Sequence, residues 1–376
     1  MSTNREELNP VENPLEPDAL ASEDARRSAA PGLKRADDPE VQARLADLVR
    51  ETGGLSPESF DGRLVRDLLT AALKLAPDGR DTGELKLITA AVKELRYAMR
   101  VFAQYHEPHK VTIFGSARTK PDHPDYAAAR DFGRLMAEAG WMVITGAGDG
   151  IMKAGHEGPG REASFGVAIR LPFETSANTV IAGDEKLINF RYFFTRKLMF
   201  LSQAEAVVCF PGGFGTLDEA FEALTLIQTG KASMVPVVLC EGAGGDYWER
   251  LRAFVRNPLL SRGLISPEDE HLLYIAHTPE DARDHVLRFY RNYHSSRYVR
   301  DDLVIRLRRR LKDADVERLN EEFASLIKTG RIVQCGPYEI EGEHLDLPRL
   351  AFTHTRYHYG QVRRLIDRVN EFDPAY

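Results

Sequence analysis

Short apolar runs that stop at glycine decide what this chain can become. Val111-Thr112-Ile113-Phe114 runs into Gly115, Met142-Val143-Ile144-Thr145 into Gly146, and Ala206-Val207-Val208-Cys209-Phe210 into Pro211-Gly212-Gly213. Each run is rich in β-branched or aromatic residues and has no polar face, as a strand buried on both sides of a parallel sheet requires. Helical periodicity fills the intervals, for example from about Tyr126 to Ala139 and from Ala220 through Leu224 and Ile227. Strand, glycine turn and helix in repetition predict an α/β fold with a parallel sheet flanked by helices. With 376 residues, 43% of them hydrophobic, there is material for one large core and smaller appended units.

No apolar run approaches the ~18 residues of a membrane span, and the acidic, proline-bearing N-terminus lacks the basic and apolar blocks of an export signal. Cys209, Cys240 and Cys335 are far apart, which fits buried thiols in a reducing compartment. A cytoplasmic protein without membrane partners is expected. The formal net charge of −7 argues against general nucleic-acid binding, so any phosphate site must be local.

Pro211-Gly212-Gly213-Phe214-Gly215-Thr216-Leu217-Asp218-Glu219 offers one. Glycines at 212, 213 and 215 let the backbone bend tightly and turn its N–H groups to an anion at the positive end of the following helix. Thr216 is expected to cap that helix and offer its hydroxyl to the same phosphate, and Glu219 places a carboxylate one turn on. Thr216 and Glu219 also have the spacing of a capping box, as do Asp81 with Glu84 and Thr278 with Asp281, so the pair can be read as structural, functional or both.

Two further loops leave strands at the same expected edge, where open α/β sheets bind ligands. Gly115-Ser116-Ala117-Arg118 offers Gly115, Ser116 and Arg118, and Gly146-Ala147-Gly148-Asp149-Gly150 offers Gly146, Gly148 and Gly150. The second loop is neither a dinucleotide fingerprint, which needs glycine where Ile151 stands, nor a Walker A loop, which needs a following Gly-Lys-Ser/Thr. Nothing catalytic is read from the segment holding Asn178 and Asp184. Asn189 to Lys197 reads as a helix with Phe190, Phe193, Phe194, Leu198 and Leu201 on a core-facing stripe, and Arg196 and Lys197 projecting from another side.

Pro211–Glu219 resembles the PGGxGTxxE signature of the Lonely Guy (LOG) family, phosphoribohydrolases of nucleoside 5′-monophosphates. Thr195-Arg196-Lys197-Leu198-Met199 resembles its RKxxM segment, and the interval from Arg196 to Glu219 fits the family. Gly146–Met152 is similar to its GGGxxGLM loop, with Ala147 in place of the middle glycine and Ile151 in place of leucine. The resemblance spans roughly Lys110 to Tyr293. It implies a Rossmann-like fold and hydrolysis of the N-glycosidic bond of AMP or of N6-substituted cytokinin nucleotides. By the same resemblance Glu219 and Arg196 are catalytic, and the three glycine loops, Thr216 and Lys197 bind substrate. No metal or organic cofactor is implied, and a homodimer or higher homo-oligomer is expected. Two other readings are a nucleotide- or molybdenum-cofactor-binding carrier or sensor on the same fold, and a lysine decarboxylase.

The expected organisation is a disordered acidic tail (1–40), a helical extension (41–106), the nucleotide-hydrolase domain (107–295) and a small α+β module (296–376) read as β-α-β-β-α. The module carries a basic cluster, Arg306, Arg308, Arg309, Arg310 and Lys312, which suits an anionic effector, an acidic subunit surface or plain solvation. It also holds His354 and His358, at a metal-pair interval without a third ligand.

Overall fold

The computed structural model describes residues 34–107, 109–170 and 177–373, and the chain divides into two compact units, 1–96 and 97–376. The tail expected over 1–40 lies, up to residue 33, outside the described residues. In the first unit helices α1 (Pro39–Glu51) and α2 (Phe60–Lys74) pack on one another, with Leu45 and Val49 buried. Helix α3 (Thr82–Phe102) starts in the first unit and ends in the second. A true capping box opens it: Glu84 N donates to Asp81 Oδ1 at 2.7 Å, and Asp81 N to Glu84 Oε2 at 3.2 Å.

In the second unit the chain runs β1 (Lys110–Phe114), α4 (Pro124–Glu138), β2 (Met142–Thr145), α5 (Ile151–Glu157), β3 (Ser164–Ile169), β4 (Leu187–Phe190), α6 (Phe193–Ser202) and β5 (Ala206–Cys209). It continues through α7 (Phe214–Gln228), β6 (Val237–Cys240), α8 (Tyr247–Phe254), β7 (Leu273–Ala276) and α9 (Pro279–Phe289). The seven strands form one parallel sheet in the order β4-β3-β2-β1-β5-β6-β7. Val111, Ile113, Val143, Val208 and Val238 of the sheet meet Phe132 of α4 and Val286 of α9 in the core. Burying each such side chain contributes about 2 kcal/mol. Strand order reverses beside β1, so the crevice between β1 and β5 is the topological switch point where ligands bind in such sheets.

The aromatic segment differs from its sequence reading. Leu187–Phe190 is a strand, paired in register with β3 as Val167 with Ile188 and Ile169 with Phe190. Sheet pairing overrides the three-to-four spacing of its aromatics. Helix α6 therefore begins only at Phe193. Of the expected core stripe, Phe190 is buried, whereas Phe193, Phe194 and Leu198 are about half exposed.

A second, antiparallel sheet of order β10-β11-β9-β8 follows, built from β8 (Tyr293–Val299), β9 (Asp302–Leu307), α10 (Asp313–Glu322), β10 (Ile327–Cys335), β11 (Arg349–His354) and α11 (Tyr359–Glu371). Its order is β-β-α-β-β-α. The strand absent from the sequence reading is β8, whose Tyr-His-Ser-Ser-Arg-Tyr-Val has too little apolar contrast to alternate legibly. The basic cluster is not one patch. Arg306 is buried and its Nη2 lies 2.5 Å from Glu341 Oε1, while Arg308 donates from Nε to Tyr290 O at 3.0 Å. His354 ends β11 with Nδ1 2.6 Å from Tyr298 Oη, and His358 sits before α11 with Nδ1 2.6 Å from Glu268 Oε1, so the two rings serve different partners.

Glu341 joins two buried arginines, Arg349 Nε lying 3.1 Å from its Oε2. Burial alone would raise this carboxyl, but hydrogen bonds from Arg349 and Arg306 hold it down to about 2. The folded value is depressed, so its contribution is present above the ordinary carboxylate pKa and is lost as pH falls toward 2. Glu341→Gln is expected to cost about 3 kcal/mol at neutral pH, because it strands two buried cations; the urea midpoint measures it. Among the described residues no helix is long and apolar enough to cross a membrane.

Candidate active site

Three loops meet at the carboxyl edge of β2, β1 and β5. Ser116 N donates to Pro211 O at 3.1 Å, and Ile151 N to Ser116 O at 3.0 Å, which ties the loop after β1 to both of its neighbours. Glycine is required at the tightest seams. A Cβ on Gly115 would stand 2.5 Å from the Ile151 side chain, and one on Gly150, at φ 62°, would strike the Ser116 carbonyl. Gly212 is wedged against the Thr216 hydroxyl. Gly213 and Gly215, by contrast, face open space. Ser116, Arg118, Pro211 and Gly212 line a cleft of 610 Å³ at the switch point.

The glycine turn ends earlier than its sequence suggests. Gly213, extended at φ −88° and ψ −156°, is the N-cap of α7, and no side chain caps that helix. Thr216 falls inside the first turn and is buried. No reciprocal cap joins it to Glu219, unlike the boxes at Asp81 and at Ser266 with Asp269. Among the described residues the N–H groups of Gly213, Phe214, Gly215 and Thr216 find no protein acceptor, and the first α-helical bond of α7 runs from Leu217 N to Gly213 O at 3.1 Å. Four free donors stand at the start of a 15-residue helix, beside two open glycines, an arrangement whose chemistry suits an anion.

Glu219 lies in the second turn of α7, 8% exposed, and among the described residues its Oε2 has no hydrogen-bond partner. Burial pushes this carboxyl up to about 7, against the pull of Lys197 and Arg196 and with a further push from Glu222 and Asp218. A carboxyl ordinarily near 4.5 is thus poised to exchange a proton near neutrality.

Arg196 reaches the other side of the rim. Its Nε donates to Val167 O at 2.9 Å, and its guanidinium lies 5.1 Å from the centre of the Phe200 ring. A Cβ on Gly146 would stand 2.5 Å from Arg196 Nη2, so this glycine makes the notch the guanidinium occupies. Lys197 turns toward α7, with Nζ 2.7 Å from Asp218 Oδ2 and 2.8 Å from Glu222 Oε2. Burial opposes its charge, but those two carboxylates win and raise its pKa. Lys197 and Glu222 also line a larger cleft of 1250 Å³, which Arg196 and Glu219 do not touch.

One set of residues escaped sequence reasoning. Asn178 is buried, its Nδ2 donating to Gly148 O at 3.0 Å and to His156 Nδ1 at 3.1 Å, while its Oδ1 accepts from Val180 N at 3.2 Å. Burial lowers the pKa of His156, which as the neutral ring donates from Nε2 to Phe165 O at 2.9 Å. Asn178 N also donates to Ala147 O at 2.7 Å. The clamp holds the Gly146–Gly150 loop although Ala147, buried at φ 62°, costs about 1 kcal/mol there. Asn178→Ala is expected to lose about 2 kcal/mol by leaving the His156 nitrogen and the Gly148 carbonyl unpaired, readable as a lower denaturation midpoint. An isolated Asn gives no sequence signal for such a role.

Residues 146–286 match a family described as possible lysine decarboxylase. A rice (Oryza sativa subsp. japonica) protein described as a probable cytokinin riboside 5′-monophosphate phosphoribohydrolase is 32% identical over 111 residues, 30% of this chain and 42% of that one. The cytokinin riboside 5′-monophosphate phosphoribohydrolase of Mycobacterium tuberculosis is 28% identical over 174 residues, 46% of this chain and 90% of that one. The chain thus spans less than half the length of the rice relative and most of the mycobacterial one. Among solved structures, a molybdenum cofactor binding protein from Rippkaea orientalis is 23% identical, with 48% of this chain and 96% of that chain covered and a TM-score of 0.32.

Proposed function

We propose that this chain, whose α/β core belongs to the Lonely Guy family, hydrolyses the N-glycosidic bond of nucleoside 5′-monophosphates, releasing free base and ribose 5-phosphate. The observation that carries the reading is a buried, unbonded carboxyl near neutrality, Glu219, one turn beyond four free N–H donors. Its substrate is AMP or an N6-substituted cytokinin form of it, a reading supported by relatives named for cytokinin riboside 5′-monophosphates.

Gly212, Gly213, Gly215 and Thr216 hold the 5′-phosphate at the head of α7, with Gly115, Ser116 and Arg118 on the facing rim. Binding there fixes the reacting bond without taking part in the chemistry. As the bond from C1′ to the base nitrogen breaks, its electron pair leaves with the base and positive charge spreads over the ribose ring. The Glu219 carboxylate opposes that charge and takes a proton from the water whose oxygen bonds to C1′, and that proton passes on to the departing base nitrogen, which leaves the carboxylate as it began. Arg196, beside Gly146, Gly148 and Gly150, supplies positive charge to the departing base or to the nucleotide's anionic groups. Lys197 holds α6 to α7 through Asp218 and Glu222 and lowers the Glu219 pKa. A Schiff-base role for this lysine, as a decarboxylase needs, is disfavoured by two carboxylates that keep it protonated.

We further propose a cytoplasmic homo-oligomer, at least a dimer; light scattering that finds a 42 kDa particle would overturn the assembly. The functional test is incubation with a panel of nucleoside 5′-monophosphates and the matching nucleosides, with products separated by chromatography. Base and ribose 5-phosphate from the monophosphates alone support the reading. Binding without release would favour a carrier or sensor instead.

A further inference from the structure

We propose that Tyr247 is a positioning residue that locks the phosphate-binding turn in its binding orientation, an inference that rests on the phosphate-anchor reading above. Tyr247 opens α8, after β6, and its hydroxyl donates to Gly212 O at 2.7 Å. Among the described residues this is the only partner of that carbonyl.

The Gly212–Gly213 peptide is where such a lock matters most. Glycine populates positive and negative φ about equally, so a peptide between two glycines can rotate by half a turn with little steric resistance. In a trans peptide the carbonyl and the next N–H point in opposite directions. With the Gly212 carbonyl turned to Tyr247, the Gly213 N–H points to the opposite side, as one of the four free donors at the head of α7. Rotation would exchange them and present a carbonyl oxygen to an incoming phosphate. The preceding carbonyl, Pro211 O, is already fixed by Ser116 N at 3.1 Å. Among the described residues the Gly212 carbonyl has only the tyrosine.

The tyrosine is itself held from several sides. Its backbone N–H donates to Glu241 Oε2 at 2.9 Å. Its ring meets the buried Trp248 edge to face, with centroids 4.7 Å apart, and Trp248 Nε1 donates to Cys240 O at 2.9 Å. A hydroxyl on so fixed a ring selects one state of a mobile peptide, the arrangement expected of a preorganised anion site.

The test is Tyr247→Phe, which keeps the ring and its packing and removes only the hydroxyl. Calorimetry with inorganic phosphate and with ribose 5-phosphate reads the turn directly, and steady-state kinetics with a monophosphate reads KM and kcat separately. The expected result is about tenfold weaker binding of both anions and a KM raised by a similar factor, with kcat and the thermal midpoint nearly unchanged. Unaltered anion affinity in the variant would overturn the inference, and so would a loss confined to kcat or to thermal stability. If the unsubstituted protein binds neither anion, the phosphate-anchor reading fails first, and this inference with it.

Discussion

Glu219→Gln is expected to lower hydrolysis of nucleoside 5′-monophosphates by about 10³-fold and, at pH 8, to make the protein more stable. Both effects come from one carboxyl. Its folded pKa, about 7, lies above the ordinary 4.5, so between these values the native state holds a proton that the unfolded chain releases. Stability from this group is therefore full below about 4.5 and is lost as pH rises through 7, a loss of about 3 kcal/mol once the shift is complete. Glutamine, always neutral, escapes that loss. It also disturbs no cap, since Glu219 makes no reciprocal bond with Thr216 and its Oε2 has no partner to forfeit. Urea titrations at pH 4 and pH 8 should show the variant level with the parent at the lower pH and ahead of it at the higher. Retained turnover would remove Glu219 from the chemistry. A variant less stable at pH 8 would mean that Arg196 and Lys197 repay the carboxylate's burial more fully than its raised pKa implies.

The sheet was legible because its strands are short, apolar and closed by glycine, and because that pattern has few other homes than a parallel α/β sheet. The three loops at the β1–β5 edge were legible for the same reason. Less visible was everything decided by a distant partner. Phe190 has helical spacing with Phe193 and Phe194, yet pairing with β3 recruits Leu187–Phe190 into the sheet. Thr216 has the chemistry of a cap, but the turn before it closes at Gly213, and helix α7 starts without one. Arg306 sits in a run of basic residues and is nevertheless buried against Glu341, 35 positions away. Asn178 clamps one loop and Tyr247 touches another, each through a single side chain with no local pattern around it. Sequence periodicity reports faces and turns, and such pairings are settled only when the faces pack.

The charge opposite Glu219 can be tested without removing it. Gly146→Ala adds one methyl group, and that methyl would stand 2.5 Å from Arg196 Nη2 and 2.6 Å from Met152 Sδ. Gly146 is not among the residues with positive φ, so alanine brings no backbone strain of its own. The guanidinium must move, although its Nε is held by Val167 O at 2.9 Å and its face lies on Phe200. A displacement of about 1 Å at a group aligned with the reacting bond costs on the order of 10²-fold in turnover. Arg196→Lys, which replaces a planar fork by a compact ammonium, is expected to cost about 10³-fold. Neither change reaches the head of α7, so the affinity for ribose 5-phosphate should hold in both variants while kcat falls. Were Gly146→Ala to keep full turnover while Arg196→Lys lost it, the arginine would act as a charge at a distance. A fall in both places its guanidinium in direct contact with the nucleotide, and it makes the bare α-carbon of Gly146 a requirement of the chemistry rather than of the turn.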